Sequence, residues 1–206
     1  MYLIAGLGNP GREFANTKHN IGFITIDYLA EKHDIKVKKI KHKALVGEGI
    51  ISGEKVLLLK PQTYMNLSGE SIKKAVDYYD IDSDHLITIF DDIDIPMGSL
   101  RIRKKGSAGT HNGMRSVIRL LGDDSFPRIR IGIGADRGEI PLANYVTSGF
   151  KDKEEVKLME EAVMNAASAI EVLLDDGIDY AMQRYNLIVG QDQSESGDTD
   201  RNDEEE

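Results

Sequence analysis

The stretch LIAGLGNPGREF, residues 3–14, decides the fold because a glycine-rich loop directly follows a short apolar run. The apolar residues 1–5 predict a buried strand. The loop itself, GLGNPG at residues 6–11, matches the G-x-G-x-x-G pattern of dinucleotide-binding loops letter for letter. Such a loop needs a helix that opens at the third glycine, to present N–H groups to pyrophosphate, and an acidic residue at the end of the next strand. The residues after the loop therefore decide its function.

Those residues do not meet the two conditions. Residues 12–20, REFANTKHN, are polar and have no apolar period, so helical spacing begins only near Ile21. Asp27 lies near the position of a ribose-binding acid, but it falls inside the predicted helix IGFITIDYLAEKHD, residues 21–34, and not at a strand end. We therefore reject the dinucleotide-binding interpretation, and another function must account for the loop.

Length and composition indicate one folded domain in a reducing compartment. The 206 residues are enough for one well-buried core, and no linker rich in Pro, Gly or Ser divides them. Cysteine is absent, which excludes disulfides, a thiol nucleophile and thiolate metal sites. No basic and apolar leader opens the chain, and no apolar run has the length of a membrane span. We therefore expect a soluble, cytoplasmic protein.

The negative charge of the chain is concentrated at one end. The formal net charge is −9, but residues 191–206, QDQSESGDTDRNDEEE, contain eight acids against Arg201 and carry −7 of it. They include no apolar side chain that could offset the entropy of ordering, so we expect a disordered acidic tail after a folded domain over residues 1–190. That domain is nearly neutral and has two basic segments, at 36–43 and 101–105, which alone are weak evidence for an RNA partner.

The remaining apolar patterns predict an α/β fold. In chain order they are a hairpin over 44–60 that turns at 52–54, a helix over 68–80, strands over 85–90 and 100–103, a helix over 112–122, a strand over 128–133 and a helical region over 152–185 that is broken at Gly177. Ser68 is predicted as an N-cap, and Asp152 with Glu155 has capping-box spacing. Because a hairpin and a parallel crossover share one sheet, we predict a single globular domain with a twisted mixed β-sheet flanked by helices.

Polar side chains collect where the predicted parallel strands end. In open α/β sheets the ligand crevice lies beyond these carboxyl ends. The loop GSAGTHNG, residues 106–113, comes just before a helix start, where free N–H groups favour an anion. The acids, imidazoles and amides expected near this edge are Asn9, His19, Asn20, Asn66, Asp91, Asp92, His111 and Asn112. This set includes no evident nucleophile, and it is compatible with a His–Asp catalytic site.

Other interpretations of the same residues stay open at this point. Asn9 before a proline is a common turn signature, and Asn66 can be an ordinary loop or cap residue. Asp91, Asp92 and Asp94 can bind Mg²⁺ together, which predicts a metal-dependent hydrolase, although hydrated carboxylates around a turn are common without metal. The basic segments are compatible with a non-catalytic RNA-binding module. HExxH, G-x-S-x-G and P-loop motifs are absent, which removes the usual zinc, serine and nucleotide alternatives.

Five collinear motifs resemble those of a known family. They are GLGNPGREFANTKHNIGF (6–23), LKPQTYMNLSG (59–69), FDDIDIPMG (90–98), GTHNGMRSV (109–117) and FPRIRIGIG (126–134). In this order they resemble the bacterial-type peptidyl-tRNA hydrolase family, and the resemblance runs from residue 1 to about residue 186, without the acidic tail. It implies a single α/β globule with a mixed sheet, which agrees with the pattern of the apolar residues.

The resemblance also implies an activity and roles for individual residues. The activity is hydrolysis of the ester that joins a peptide, or an N-blocked aminoacyl group, to the tRNA 3′ end, without a metal ion or other cofactor. His19 matches the family's catalytic histidine, Asp91 the carboxylate that orients it, and Asn9 the residue that distinguishes N-blocked from free aminoacyl groups. The positions that match substrate-binding and tRNA-binding residues are Phe14, Tyr64, Asn66 and Asn112. Many relatives have tyrosine where this chain has Phe14, so a hydrogen bond from that hydroxyl is not available here.

The partner that this family implies is peptidyl-tRNA, bound by its acceptor end and 3′ terminus. Arg103, Lys104 and Lys105 precede the loop that leads to Asn112, and we predict that they contact phosphates. We expect a monomer without a membrane partner. The residue types fit the chemistry, because an imidazole can activate water near neutral pH, a carboxylate can fix its tautomer, and an amide can donate to a developing oxyanion.

Overall fold

The described residues form one seven-stranded sheet with helices on both faces. The structure is a computed structural model, and it describes residues 1–135 and 138–186. The strands are β1 (Tyr2–Gly6), β2 (Lys39–Lys41), β3 (Ala44–Ile51), β4 (Glu54–Pro61), β5 (Leu86–Asp92), β6 (Leu100–Arg103) and β7 (Arg128–Gly132). The helices are α1 (Ile21–Lys32), α2 (Ser68–Tyr79), α3 (Asn112–Leu121), α4 (Leu142–Val146), α5 (Lys153–Asp176) and α6 (Ile178–Tyr185).

The order of the strands places four parallel strands at the centre of the sheet. The order is β2-β3-β4-β1-β5-β7-β6. The strands β4, β1, β5 and β7 are parallel, whereas β3, β2 and β6 each pair antiparallel with their neighbours. The carboxyl ends of the four parallel strands therefore meet at one edge, which we name the carboxyl edge. The predicted α/β fold with a mixed sheet is confirmed.

The strand β1 illustrates how both faces of the sheet are covered. Ile4 packs in the cluster that includes α1 and α5, whereas Leu3 and Ala5 pack in the cluster that includes α2 and α3. All three side chains are fully buried. Strands that are covered on both faces have nearly continuous apolar sequences, which is the pattern that residues 1–5 and 85–90 show.

Two local predictions are confirmed. The hairpin joins β3 to β4 through Ser52 and Gly53, which both have positive φ, as a tight type I′ turn requires. The carboxylate of Asp152 accepts from the N–H groups of Glu154 and Glu155, both at 2.9 Å, so this residue caps α5 as predicted. Both signals are local, and turn and cap chemistry therefore suffices to find them.

Two other local predictions are wrong. Ser68 does not cap α2, because Leu67 is the N-cap residue and the Ser68 hydroxyl donates to the carbonyl of Met65. The strand β5 also runs two residues further than its apolar pattern, since Asp91 and Asp92 remain paired with β7. These two carboxylates therefore belong to the rigid sheet and not to the loop that follows it.

A glycine contact holds the start of α1 against the carboxyl edge. A Cβ on Gly22, in the first turn of α1, would lie 2.5 Å from Leu7 N, Leu7 O and Ile89 O. The absence of a side chain at Gly22 therefore allows the helix to lie directly on the residue that follows β1 and on the middle of β5. His19 precedes this helix by two residues, so its position depends on the same contact.

The last described residue returns to the edge of the sheet. After α6, the Asn186 Oδ1 accepts from Ile102 N at 2.6 Å, and its Nδ2 donates to Ile102 O at 3.4 Å. Residue 186 is therefore fixed beside the edge strand β6. The acidic tail expected over 191–206 lies outside the described residues. None of the helices that the structure describes is both long enough and apolar enough to cross a lipid bilayer.

We predict that Gly22→Ala destabilises the protein by about 1–3 kcal/mol, the usual cost of overpacking. Alanine normally stabilises a helix relative to glycine, but here its methyl group would meet backbone atoms of two strands that cannot move aside. Chemical denaturation measures the change in the free energy of unfolding. The control is Gly149→Ala, whose Cβ would be 3.6 Å from Asn16 O, an ordinary contact. A Gly22→Ala variant as stable as the control would contradict the role of this contact.

Candidate active site

A buried carboxylate at the carboxyl edge binds a histidine. His19 lies in a short 3₁₀ turn (Lys18–Asn20) before α1, and its Nδ1 is 2.8 Å from Asp91 Oδ1. Asp91 is 2% exposed. Since a carboxylate oxygen accepts, the proton of a neutral imidazole is placed on Nδ1, and Nε2 keeps a lone pair. The structure thus brings together the two residues to which the sequence resemblance assigns catalysis.

A second histidine binds the same carboxylate oxygen. The Nε2 of His111 is 3.0 Å from Asp91 Oδ1, and its Nδ1 accepts from Met114 N at 3.2 Å as the N-cap of α3. This cap fixes the tautomer, because an Nδ1 that accepts places the proton on Nε2, which then donates to Asp91. The rings of His19 and His111 lie 5.0 Å apart. The sequence placed His111 at this edge but assigned it no role.

The two imidazoles keep Asp91 ionised. Burial by itself raises the pKa of this carboxyl, but electrostatic attraction to His19 and His111 and the hydrogen bonds from them outweigh burial and hold its pKa well below the ordinary range. Asp91 is therefore a carboxylate at every pH at which the protein is expected to work. A fixed negative charge in this position can stabilise an imidazolium.

The arrangement suits hydrogen bonds better than a metal ion. Ligand atoms of His19, Asp91 and His111 lie within 4.8 Å of one another, so their spacing alone could hold an ion. A metal at His111 Nε2 would require a proton on Nδ1, however, and Nδ1 already accepts from Met114 N. Among the described residues, the metal cluster considered from the sequence does not form, since Asp92 pairs with Arg130 and accepts from Asp94 N.

The glycine-rich loop fixes the orientation of Asn9. The Asn20 side chain binds both the backbone N–H and the backbone carbonyl of Asn9, at 2.8 and 2.9 Å. The Oδ1 of Asn9 accepts from Met65 N at 2.8 Å. Because the oxygen is occupied, the amide cannot flip, and its Nδ2 has no hydrogen-bond partner among the described residues. The loop therefore presents a fixed N–H donor.

A partly exposed aromatic pair lies beside this amide. The rings of Phe14 and Tyr64 meet edge to face with their centroids 6.5 Å apart, and Tyr64 is 56% exposed. Tyr64 has a positive φ of 57° and directly precedes Met65, which binds Asn9. Edge-to-face contact leaves ring faces available, so the pair can receive another flat ring.

Two cavities meet at Asn112. The larger, about 550 Å³, is lined by His19, Asp91 and His111. The smaller, about 260 Å³, contains Asn66 with Arg115 and Arg119. Asn112 lines both, so the two amides predicted to bind substrate lie on one continuous surface with the His–Asp pair.

The basic residues in and beside the larger cavity differ in whether their side chains are available to bind a phosphate. Arg103 and Lys105 line it, as does Arg130, which the sequence did not single out. Lys104 is not among its lining residues, because its Nζ lies 2.7 Å from an Asp179 carboxylate oxygen in α6. Arg128 is buried and donates to backbone carbonyls around the loop that follows β6, so its role is structural.

A buried lysine connects the site to the segment around α4. Lys18, which is 1% exposed, donates to Gly149 O at 2.5 Å and lies 5.1 and 5.2 Å from the ring centres of Tyr145 and Phe150. Desolvation lowers its pKa, although the charge of Glu155 opposes that change. Lys18 thus holds one wall of the larger cavity against the turn that carries His19. A lysine in a polar stretch predicts a solvated side chain, so the sequence carried no signal for this contact.

The family profile described as peptidyl-tRNA hydrolase matches residues 3–196. The peptidyl-tRNA hydrolases of Alkaliphilus oremlandii and Alkaliphilus metalliredigens are 56% and 57% identical over 187 residues, which is 90% of this chain and 100% of each relative. A crystal structure of peptidyl-tRNA hydrolase from Acinetobacter baumannii superposes with a TM-score of 0.85 at 35% identity, over 91% of this chain and 95% of that chain. This chain therefore belongs to the peptidyl-tRNA hydrolase family.

Proposed function

We propose that this chain hydrolyses the ester between a peptide, or an N-blocked aminoacyl group, and the 3′-terminal ribose of tRNA. The observation that carries the proposal is the hydrogen bond from His19 Nδ1 to the buried, ionised Asp91, which leaves Nε2 as a proton acceptor on a residue that lines the larger cavity. The names of the relatives supply the substrate, and the residues of the site supply a chemistry that suits it.

In the proposed reaction His19 acts as a general base. Its Nε2 takes a proton from water while the water oxygen bonds to the ester carbonyl carbon, which forms a tetrahedral intermediate. The bond from that carbon to the ribose oxygen then breaks, and the imidazolium returns its proton to the ribose oxygen. Free tRNA and a peptide carboxylic acid result, and the acid then loses its proton to solvent. Asp91 stays ionised throughout because it stabilises the imidazolium without taking its proton.

Asn9 supplies the distinction between blocked and free aminoacyl groups in this proposal. A blocked nitrogen carries an acyl carbonyl, which can accept from the Nδ2 of Asn9, which has no partner among the described residues. A free aminoacyl group has no such carbonyl, and its ammonium is repelled by an N–H donor. Because Met65 N holds the amide oxygen, the side chain cannot turn to accept from the ammonium instead.

The surfaces on either side of His19 suit the two ends of the substrate. The Phe14–Tyr64 pair beside Asn9 can stack on an exposed base, and the amides of Asn66 and Asn112 can bind the sugar or the acyl chain. Arg103 and Lys105 can neutralise phosphates of the acceptor end, with Arg130 beside them on β7. Lys104 is a weaker candidate for a phosphate contact, because it already pairs with Asp179.

We predict that His19→Ala lowers hydrolysis of N-acetyl-aminoacyl-tRNA by about 10²–10⁴-fold, the usual contribution of a general base, while tRNA affinity stays close to that of the wild type. The assay is run with and without EDTA, and hydrolysis of unblocked aminoacyl-tRNA is measured in parallel as a second substrate. The control is His85→Ala, which removes a partly exposed histidine that pairs with Asp84 away from the site. A folded His19→Ala protein at the wild-type rate would overturn the assignment, as would loss of activity in EDTA.

We predict that His111→Ser lowers kcat/KM for N-acetyl-aminoacyl-tRNA by about tenfold, the equivalent of one lost hydrogen bond. Without the donor from His111, Asp91 Oδ1 accepts from His19 alone and is held less firmly in place. Serine can still cap α3, whereas His111→Ala also loses the cap and should cost about 1 kcal/mol of stability. The measurements are kcat and KM, determined separately, and thermal unfolding of both variants. A wild-type kcat/KM in both would mean that His111 is only a helix cap.

We predict that Asn9→Asp and Asn9→Ala both lower the preference for blocked over free substrate by about tenfold, the equivalent of one lost hydrogen bond. Both variants lose the Nδ2 donor, but only aspartate keeps an oxygen for Met65 N. The ratio of the two kcat/KM values measures the preference. If the ratio changes in Asn9→Ala alone, the effect comes from the shape of the loop. If the ratio changes in neither variant, Asn9 does not distinguish blocked from free substrate.

A further inference from the structure

Strands β6 and β7 present four arginines on one face of the sheet. Leu100 and Ile102 of β6 point into the core that packs against α5, so the alternating residues Arg101 and Arg103 point to the other face. The register places these two residues opposite two arginines of β7. We name this set the arginine face, which consists of Arg101, Arg103, Arg128 and Arg130.

Two members of the arginine face, Arg101 and Arg103, have neither an acidic partner nor a set of surrounding backbone carbonyls in the described part of the chain. Arg130 pairs with Asp92, and Arg128 is held by backbone carbonyls. In contrast, no hydrogen bond or ion pair involves the Arg101 side chain among the described residues, and Arg103 donates only to the carbonyl of Ile102 at 3.1 Å. These two cations lie on the edge strand β6, where a polyanion can approach.

The described chain ends at this same edge. Asn186 binds both the N–H and the carbonyl of Ile102, so it lies between Arg101 and Arg103 along β6. The next acid is Asp192, and the six residue-to-residue steps from Asn186 to it can span up to about 20 Å when extended. Each of the eight acids over 191–206 is therefore tethered to a point beside two cations that lack an acidic partner among the described residues.

Most of these acids lie outside the part of the chain that matches the family. The family profile ends at residue 196, and the alignments with the two Alkaliphilus proteins span the whole of each relative but 90% of this chain. Six of the eight acids come after residue 196, namely Asp198, Asp200, Asp203, Glu204, Glu205 and Glu206. Any function of this segment is therefore additional to the functions that members of the family share.

We infer that the acidic segment 191–206 binds the arginine face and competes there with the phosphates of RNA. The inference rests on the proposed function in so far as the displaced ligand is tRNA. A net charge of −7 over sixteen residues resembles that of a short nucleic-acid strand, and the tether gives it a high effective concentration at Arg101 and Arg103. RNA that binds by charge alone is then displaced more readily than a substrate that also fills the site at His19.

The first experiment removes the competitor. One variant lacks residues 191–206, and a second keeps their length but replaces the eight acids by Asn and Gln. The probe is a fluorescent acceptor-stem RNA duplex without an ester, so that binding is measured by anisotropy without turnover. Both variants should bind it about fivefold more tightly than the full chain at about 50 mM salt and equally tightly at about 0.5 M salt, where the charges are screened.

The same two variants should show a lower KM for peptidyl-tRNA at low salt and an unchanged kcat. Their midpoint of thermal unfolding should stay near that of the full chain, because the segment offers no apolar surface to bury. Equal RNA affinity of the full chain and both variants at low salt would overturn the inference. A change in the deletion variant alone would overturn it as well, since length and not charge would then matter.

The second experiment tests the location. Arg101→Gln combined with Arg103→Gln should abolish the difference between the full chain and the deletion variant. Lys38→Gln combined with Lys39→Gln is the matched control, because these exposed lysines lie at or beside β2, about 30 Å away at the opposite edge of the sheet. An effect that survives the arginine changes but disappears with the lysine changes would overturn the inference.

A third measurement separates this inference from the proposed function. A labelled peptide of residues 191–206 is titrated onto the deletion variant, with and without the two arginine changes, in the absence of RNA. Binding that is lost with Arg101 and Arg103 supports the contact whether or not the protein hydrolyses peptidyl-tRNA. Absence of such binding at low salt would overturn the contact even if hydrolysis is fully confirmed.

Discussion

The site depends on one oxygen atom, Asp91 Oδ1, which accepts from His19 and from His111 at 2.8 and 3.0 Å. A buried carboxylate is costly unless charged or polar donors compensate it, so the two imidazoles are a condition for burying this charge at all. The contact also stabilises the fold, because the two histidines come from opposite faces of the sheet. His19 precedes α1 on one face of the sheet, and His111 caps α3 on the other. The carboxylate therefore joins both helical layers at the carboxyl edge.

The topology of the sheet explains why space is left open at that edge. The chain leaves β1 to form β4 on one side and later returns to form β5 on the other, so the connections diverge above β1. Nucleotide-binding folds use this position for a pyrophosphate. Here Gly6 and Gly8 pack closely against α1, and the loop holds Asn9 in a fixed orientation. The same sequence pattern thus serves a different chemistry, because α1 starts only at Ile21, ten residues after the last glycine of the pattern.

Whether a feature could be predicted from this sequence depends on how far apart along the chain its interacting residues lie. The hairpin turn, the Asp152 cap and the apolar faces are local signals, and each of them was found. The contact of His111 with Asp91 joins residues twenty positions apart and depends on an unusual helix cap. Lys18 was missed because burial of a lysine requires partners 127 to 137 residues away, which composition cannot show. The roles and the pairing of His19 and Asp91 came from family resemblance, whereas the second hydrogen bond to Asp91, from His111, could be found only in three dimensions.

The distribution of charge matters more to this molecule than its sum. Screening limits the action of an exposed charge to about 10 Å, so a polyanion near β6 responds to Arg101 and Arg103 and hardly to acids at a distant surface. The net charge of −9 is therefore no obstacle to binding RNA, provided that the acidic segment does not occupy the same cations. Since Asn186 lies beside β6, that segment is tethered near these two cations. An acidic segment tethered at this point weakens the binding of any RNA that is held by charge attraction alone. A ligand that is to bind tightly must therefore also make contacts at the carboxyl edge.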